Sequence, residues 1–549
     1  MIDDLWYKNA VVYSLDLESY MDGNGDGVGD FEGLTGRLDH LEFLGVDTIW
    51  LAPFQPSPNK DNGYDVRDYY GVDQRHGSSG DFVEFMHQAR NRGLRVIMDL
   101  VVNHTSDQHP WFQEARKDPA SRYRDWYVWS KKRPTDWKTG MVFPGVQHST
   151  WTFDDVARHW YFHRFYDHQP DLDMQHPDVR REIARIMGYW IALGVSGFRV
   201  DAVPFIIETP APGPEMPVLH FEYLEEMHRV AQWRRGDAIL LGEANVTPDE
   251  TKDYFGTGGR GIQMMFNFWV NQRIFLALAS GDTRPLQKAL KETKKHPPAS
   301  QWAQFLRNHD ELDLGRLTEE ERAAVYARFG PEPRMQLYDR GIRRRLAPML
   351  GGDRRLVELA NSLLFALPGT PVLRYGDEIM MGEDLSLKER DAVRTPMQWS
   401  DERNGGFSAA EKTYLPAVSG GVYGYERVNV AAQRRDPNSF LNWTASMVRV
   451  RRECPEIGWG DWRILPTGHA EVLALCYTWR HNTIVTLHNF ADQACDVRVR
   501  LGEEVAGGDL LVDILRQQES RAGEDGAHRL ALDPYGYRWF RVGGLRRLP

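Results

Sequence analysis

The chain has 549 residues, 42% of them hydrophobic and 26% charged, with a formal net charge of -11. These proportions are ordinary for a globular protein, and an acidic balance with both signs interspersed argues against a nucleic-acid or anionic-membrane partner. The length fits about three domains, unless an α/β barrel takes about 250 residues as one.

The first residues, Met1-Ile2-Asp3-Asp4-Leu5-Trp6, carry neither a basic nor an apolar stretch, so no signal peptide is expected. No window has the apolar length to span a membrane. The three cysteines, Cys454, Cys476 and Cys495, lack metal-ligand spacing and read as reduced thiols of a cytoplasmic protein. The basic run Arg343-Arg344-Arg345 reads as a solvated helix face. The 18 Trp and 22 Tyr suit a carbohydrate site, where the C–H faces of sugars stack on aromatic rings.

In chain order, apolar runs alternate with helical patterns. Residues 10–17 read as a first strand, followed by a Gly/Asp loop and a helix carrying Leu34, Leu38, Leu41 and Leu44. Residues 48–53 form a second strand. A helix over 81–92 leads to a third strand at 95–102, ending in Asn103-His104. The fourth, 195–201, ends in Arg199-Val200-Asp201. The fifth, 238–241, ends in Gly242-Glu243. A weaker sixth lies at 264–268. The seventh, 304–306, ends in Arg307-Asn308-His309-Asp310. A helix over 356–366 precedes the eighth, 371–375. Eight strands alternating with helices predict an α/β fold, a closed (β/α)₈ TIM barrel. Residues 104–174 form an inserted subdomain after strand 3, rich in aromatic residues, and 316–355 a second, polar and helical insertion. The barrel then takes 1–103 and 175–457. Alternating runs separated by Gly, Asn and Asp over 458–549 predict a C-terminal antiparallel β-sandwich domain.

Polar residues cluster at the C-terminal strand ends, where such barrels carry their active sites. Arg199 and Asp201 point to the same side of their strand. Taken alone they suit either a structural ion pair or a nucleophile held ionised by its partner. Asp201 and Glu243 end adjacent strands about 4.8 Å apart, and a retaining glycosidase holds its two carboxyls about 5–5.5 Å apart. Asp201 suits the nucleophile. Glu243 follows the apolar Ile239-Leu240-Leu241, which raises its pKa and suits the acid.

These segments resemble glycoside hydrolase family 13, the α-amylase family, over nearly the whole chain. Asp99-Leu-Val-Val-Asn-His104, Gly197-Phe-Arg-Val-Asp201, Leu241-Gly-Glu-Ala-Asn245 and Arg307-Asn-His-Asp310 are similar to its four signature regions in order, and Gln169-Pro-Asp-Leu-Asp173 to a fifth. The resemblance implies Asp201 as nucleophile, Glu243 as general acid/base and Asp310 as transition-state stabiliser. It also implies that His104, His309 and Arg199 contact the first sugar. Gly63-Tyr64-Asp65 and Arg394-Thr-Pro-Met-Gln-Trp399 resemble the exo-acting members. There the Tyr stacks under the terminal glucose, and Asp65 and Arg394 would pair across the pocket floor.

The loop Asp22-Gly-Asn24-Gly-Asp26-Gly-Val28-Gly-Asp30 spaces oxygen ligands at alternate positions, with Val28 giving its carbonyl, and reads as an EF-hand-like site for structural Ca²⁺. The family resemblance implies the same ion there. It also implies a second between barrel and insertion, held by Asn103, Asp171 and Glu208 with the carbonyls of Phe205 and Ile206. No organic cofactor is expected.

Residues 307–322, 341–348, 106–112, 163–165 and 168–171 look like the trehalose synthase branch, which isomerises maltose and trehalose inside a closed pocket. The alternative is an exo-acting α-glucosidase or transglucosidase on maltose, trehalose or sucrose. Ser14-Leu-Asp-Leu-Glu-Ser19 and Asp173 depart from that branch. The expected partner is a small-molecule α-glucoside, with no membrane or nucleic-acid partner and room for a homo-oligomer.

Overall fold

The barrel strands form where short runs of Val, Ile, Leu and aromatic residues must bury both faces. The computed structural model describes residues 3–208, 218–502 and 505–543. The outermost ends of the expected barrel and C-terminal domain, 1–2 and 544–549, lie outside them. Eight parallel strands close in sequence order: β1 (Val12–Leu15), β2 (Thr48–Leu51), β3 (Arg95–Leu100), β4 (Gly197–Val200), β5 (Ile239–Gly242), β6 (Met264–Phe266), β7 (Gln301–Phe305) and β8 (Thr370–Arg374). Their inward residues, among them Trp50, Ile97, Leu241, Phe266 and Phe305, pack as a cluster of their own inside the ring. The outward residues join the helices in one larger core.

Two elements differ from expectation. The helix through Leu34 and Leu44 is two helices, Phe31–Gly36 and Leu38–Leu44, hinged at Arg37 (φ -112°, ψ 8°). Both keep the leucine stripe buried across the break. The seventh strand starts at Gln301, three residues early, because its polar residues are satisfied inside the fold. The Gln301 amide donates to the carbonyls of Lys8 (3.3 Å) and Gly458 (3.2 Å), and that of Gln304 to Pro368 (2.8 Å).

The insertion after β3 carries a helix, Pro110–Lys117, and an antiparallel sheet with His159–Phe162 between Trp129–Ser130 and Trp151–Asp154. The segment after β7 carries a helix, Glu319–Phe329, closed by a capping box of Thr318 and Glu321. A small sheet of Leu312–Asp313, Gly341–Ile342 and Gln336–Leu337 flanks it. The basic run there is not a solvated helix face. Arg345 is buried and donates to the Tyr375 carbonyl at 2.8 Å, while Arg344 pairs with Glu383 at 2.7 Å. Burial is tolerated because these charges find partners. The C-terminal part is a sandwich of a six-stranded and a two-stranded antiparallel sheet. Its core includes Val485, Leu487, Val497, Leu530 and Phe540.

Candidate active site

The site is built upward from a buried charge at the end of β3. Asp99 follows Val96-Ile97-Met98 and is buried where only hydrogen bonds can hold it. It accepts from the Trp50 indole (2.6 Å), the Tyr64 hydroxyl (2.5 Å) and Arg199 (3.2 Å), its cross-strand neighbour on β4. Sequence reasoning left Asp99 out of the site. The available signal was a carboxylate inside an apolar strand, which has to be paired.

Arg199 is the hub. Its Nη1 reaches Asp201 at 2.5 Å and its Nη2 reaches Glu243 at 2.8 Å. One planar guanidinium therefore sets the two carboxylates side by side. Arg199 lies under the cavity surface, so it positions the carboxylates and is not among the residues that line the pocket. Ala202, just past the strand, adopts a left-handed conformation (φ 50°, ψ 39°) and turns its N–H onto Glu243 at 3.1 Å. A non-glycine residue there costs about 1 kcal/mol. Burial pushes the Asp201 carboxyl up to about 6 against the pull of Arg199. It pushes Glu243 further, to about 7, opposed by Arg199 and helped by the charges of Asp201 and Asp310. That order places the proton on Glu243 and leaves Asp201 ionised near neutral pH, the division that an acid and a nucleophile need.

Asp310, beyond β7, is gripped by Arg390 (3.0 Å) and Arg394 (3.0 Å). Burial raises its pKa, but Arg390, His309, Arg394 and Arg199 together outweigh it and hold the carboxyl far below the usual range. With the Tyr64 hydroxyl donating to Asp99, His309 Nε2 donates to Tyr64 Oη (2.7 Å), and the two rings stack 5.5 Å apart and 6° from parallel. His104 meets the Tyr64 carbonyl at 2.9 Å, and burial lowers its pKa to about 4, so its ring is neutral.

The expected pairing of Asp65 with Arg394 is not what forms. Asp65 is fully buried and accepts from Ser57 Oγ (2.8 Å) and from the N–H groups of Lys60 (3.0 Å) and Asp61 (3.2 Å). It shapes the loop and does not reach the cavity. Asp61 does, four residues earlier, with Gln169 on its carboxylate at 2.9 Å. The swap follows from backbone geometry: Asn62 (φ 47°) and Gly63 (φ 90°) both turn left-handed and send the two aspartates to opposite sides. Arg394 donates to Asp310 and to the His309 carbonyl (2.9 Å) and lies behind the cavity surface.

Asp61, Tyr64, His104, Asp201, Glu243, His309 and Asp310 open into one cavity of about 670 Å³, a size suited to a small ligand. Three segments meet at its wall. The Phe143 ring from the first insertion packs on Tyr338 of the second at 4.8 Å, with Arg390 5.0 Å over Phe143. Tyr166 and Tyr338 both donate to Glu389 (2.9 and 2.7 Å), and Arg340 donates to the Val142 carbonyl at 2.6 Å.

The residues expected to hold metal are also placed. Asp22 accepts from Gly25 (2.6 Å) and Gly27 (2.8 Å), and Asp30 from Gly23 (3.1 Å), Asn24 (3.1 Å) and Gly33 (2.6 Å). Asn24 and Asp26 each cap an N–H two residues on, at 2.8 and 2.9 Å. The donor set, with the Val28 carbonyl, is oxygen throughout, which suits a hard cation such as Ca²⁺. At the second place Asn103 lies beside His104 and Asp171 accepts the Arg164 N–H (2.9 Å). Glu208 pairs with the Arg164 guanidinium at 2.7 Å, which also lies over the Phe205 ring next to Ile206. That arginine supplies the positive charge expected of a second ion. Among the described residues no three His, Cys, Asp or Glu side chains gather as a ligand set.

Residues 16–328 and 342–460 match the family described as alpha amylase, catalytic domain, and 482–541 match the sucrose hydrolase-like C-terminal domain. A trehalose synthase of Thermus thermophilus is 44% identical over 548 residues, 98% of this chain and 56% of that protein. The chain thus spans little more than half that relative's length. A trehalose synthase of Pimelobacter sp. (strain R48) is 40% identical, with 98% and 96% covered. Oligo-1,6-glucosidases match at 30% and 31% identity. Among solved structures, a trehalulose synthase superposes with a TM-score of 0.78 at 26% identity, covering 98% of this chain and all of that one.

Proposed function

We propose that this chain, which belongs to the α-amylase family (glycoside hydrolase family 13), interconverts maltose and trehalose through a covalent glucosyl intermediate on Asp201. The Asp201 carboxylate attacks C1 of the non-reducing glucose. The C1–O bond to the second glucose breaks, and Glu243 gives its proton to the departing oxygen. Asp310, kept ionised by its arginines, accepts hydrogen bonds from sugar hydroxyls as positive charge grows at C1. The released glucose turns and presents its anomeric hydroxyl. Glu243 takes that proton, the new C1–O bond forms and Asp201 leaves.

Everything after cleavage depends on which acceptor arrives first, water or glucose. The structural observation that carries the isomerase reading is the set of contacts tying Phe143 and Arg390 of the cavity wall to Tyr338 and Glu389, contributed by three segments distant in sequence. Closed over a bound sugar, these segments would hold glucose and keep water out. The 40–45% identity to proteins named trehalose synthase supports the same reading. Incubation with maltose should yield trehalose in excess of free glucose. Glucose without trehalose would convert the assignment to an exo-acting α-glucosidase or transglucosidase.

Structural Ca²⁺ in the loop of Asp22, Asn24, Asp26, Val28 and Asp30 belongs to the same proposal. Its oxygen donors would hold the ion, and the ion's charge would tie the loop after β1 together. The second set, Asn103, Asp171, Phe205, Ile206 and Glu208, would have to displace Arg164, so the proposal is confined to the first. Chelation followed by dialysis should lower the melting temperature by about 5 °C, restored by Ca²⁺ and not by Mg²⁺. An unchanged melt removes the ion from the proposal. No helix among the described residues is long and apolar enough to cross a membrane. A cytoplasmic setting is proposed from the three free cysteines.

A further inference from the structure

The general acid gives its proton to the leaving oxygen, so the leaving glucose has to lie on the Glu243 side of the cavity. The opposite side is filled by Asp61, Tyr64 and His104 from the β2 and β3 ends. Past Glu243 the cavity wall continues through Asn245, Phe268, Asp313 and Arg316. Two of these are charged, and a bonded network holds both in place. Arg316 donates from Nε (3.1 Å) and Nη2 (2.6 Å) to the Asn245 carbonyl, two residues beyond the general acid. Its N–H donates to Gln272 Oε1 at 2.8 Å, and its carbonyl accepts from the buried Arg273 at 2.9 Å. Asp313 accepts the Asn245 amide at 3.0 Å and the Gly315 N–H at 2.7 Å, and it pairs with Arg340 of the same wall at 3.5 Å. Arg316 Nη1 has no protein acceptor among the described residues.

We infer that Arg316 and Asp313 form an acceptor clamp that holds the released glucose beside Glu243 while it turns. This rests on the isomerase reading. A guanidinium and a carboxylate on one stretch of cavity wall, both bonded to Asn245, offer donors and acceptors to the hydroxyls of a neutral sugar in more than one orientation, which suits a ligand that must rotate without leaving. Phe268 offers it an apolar wall. Bonding to Asn245 sets the clamp's distance from the acid, and the Gln272 and Arg273 bonds keep that distance when the sugar moves.

The test is product partition in Arg316→Gln and Asp313→Asn, run on maltose with ¹³C-glucose in the medium. Loss of a charged hydrogen-bonding group should lower trehalose formed per glucose released by about tenfold or more. Labelled glucose should enter the trehalose of the variants well above the parent's level. Arg316→Lys, which keeps the charge, should recover part of the ratio. Trehalose and glucose falling in parallel at an unchanged ratio would mean that Arg316 acts only on the Glu243 loop, and the clamp would be wrong. A parent enzyme that makes no trehalose sinks the isomerase reading separately. The clamp is then judged on transfer to added glucose: a KM for glucose raised in the variants keeps it, and an unchanged KM removes it. Asp313→Asn gives the same readout should Arg316→Gln not fold.

Discussion

Asp201→Asn is expected to lower kcat on maltose by about 10⁴-fold or more, close to 5.5 kcal/mol of transition-state stabilisation. The amide keeps the shape of the carboxyl but cannot attack C1. Stability should hold, because Asp99, Asp201 and Glu243 crowd around the single guanidinium of Arg199. Burial and the charge of Asp99 both push the Asp201 proton affinity up. Neutralising Asp201 relieves its repulsion with Asp99, while Arg199 keeps its contacts with Asp99 and Glu243. The melting temperature should therefore fall by no more than about 2 °C. Turnover within about tenfold of the parent would assign the attack to another group.

The barrel was legible because most strands are short apolar runs, several of them followed at once by a polar residue, the pattern that burial on two faces leaves open. The exception shows the limit. Gln301 made β7 look late, since an amide inside a strand is acceptable only when distant carbonyls accept it, and those of Lys8 and Gly458 cannot be located from sequence. Ser14-Leu-Asp-Leu-Glu-Ser19 departs from the trehalose synthase branch, and its role in this fold emerges only when β8 is set beside β1. Ser14 is in register with Arg374, whose guanidinium pairs with the buried Asp16. The acid in one strand end answers the base in its neighbour.

The three carboxylates could be read from their strand ends, and the structure gathers them in one cavity. The choice between Asp61 and Asp65 could not. It depends on two left-handed residues between them, and Asn62 permits that conformation without demanding it. Arg390 and Tyr338 were missed for another reason. Their partners lie tens to hundreds of residues away, and nothing local marks an arginine that will sit on Asp310.

Glu243→Gln separates the two half-reactions. On maltose the leaving hydroxyl needs a proton, and turnover should drop by about 10³-fold. With α-glucosyl fluoride, whose leaving group needs none, attack by Asp201 should survive. Transfer to an acceptor should stall, since the base is gone as well, and the glucosyl enzyme should accumulate as a burst that azide relieves. The parent's pH profile follows from the same two groups. Asp201 must be ionised, so kcat/KM falls as pH drops through about 6. Glu243 must be protonated, so kcat/KM falls as pH rises through about 7. The result is a narrow optimum between them. In Glu243→Gln acting on the fluoride, the alkaline limb should disappear and the acid limb should remain close to its place, because Glu243 is already neutral where Asp201 titrates. An alkaline limb that persists unchanged in the variant belongs to some other group, and Glu243 would lose its assignment as the acid.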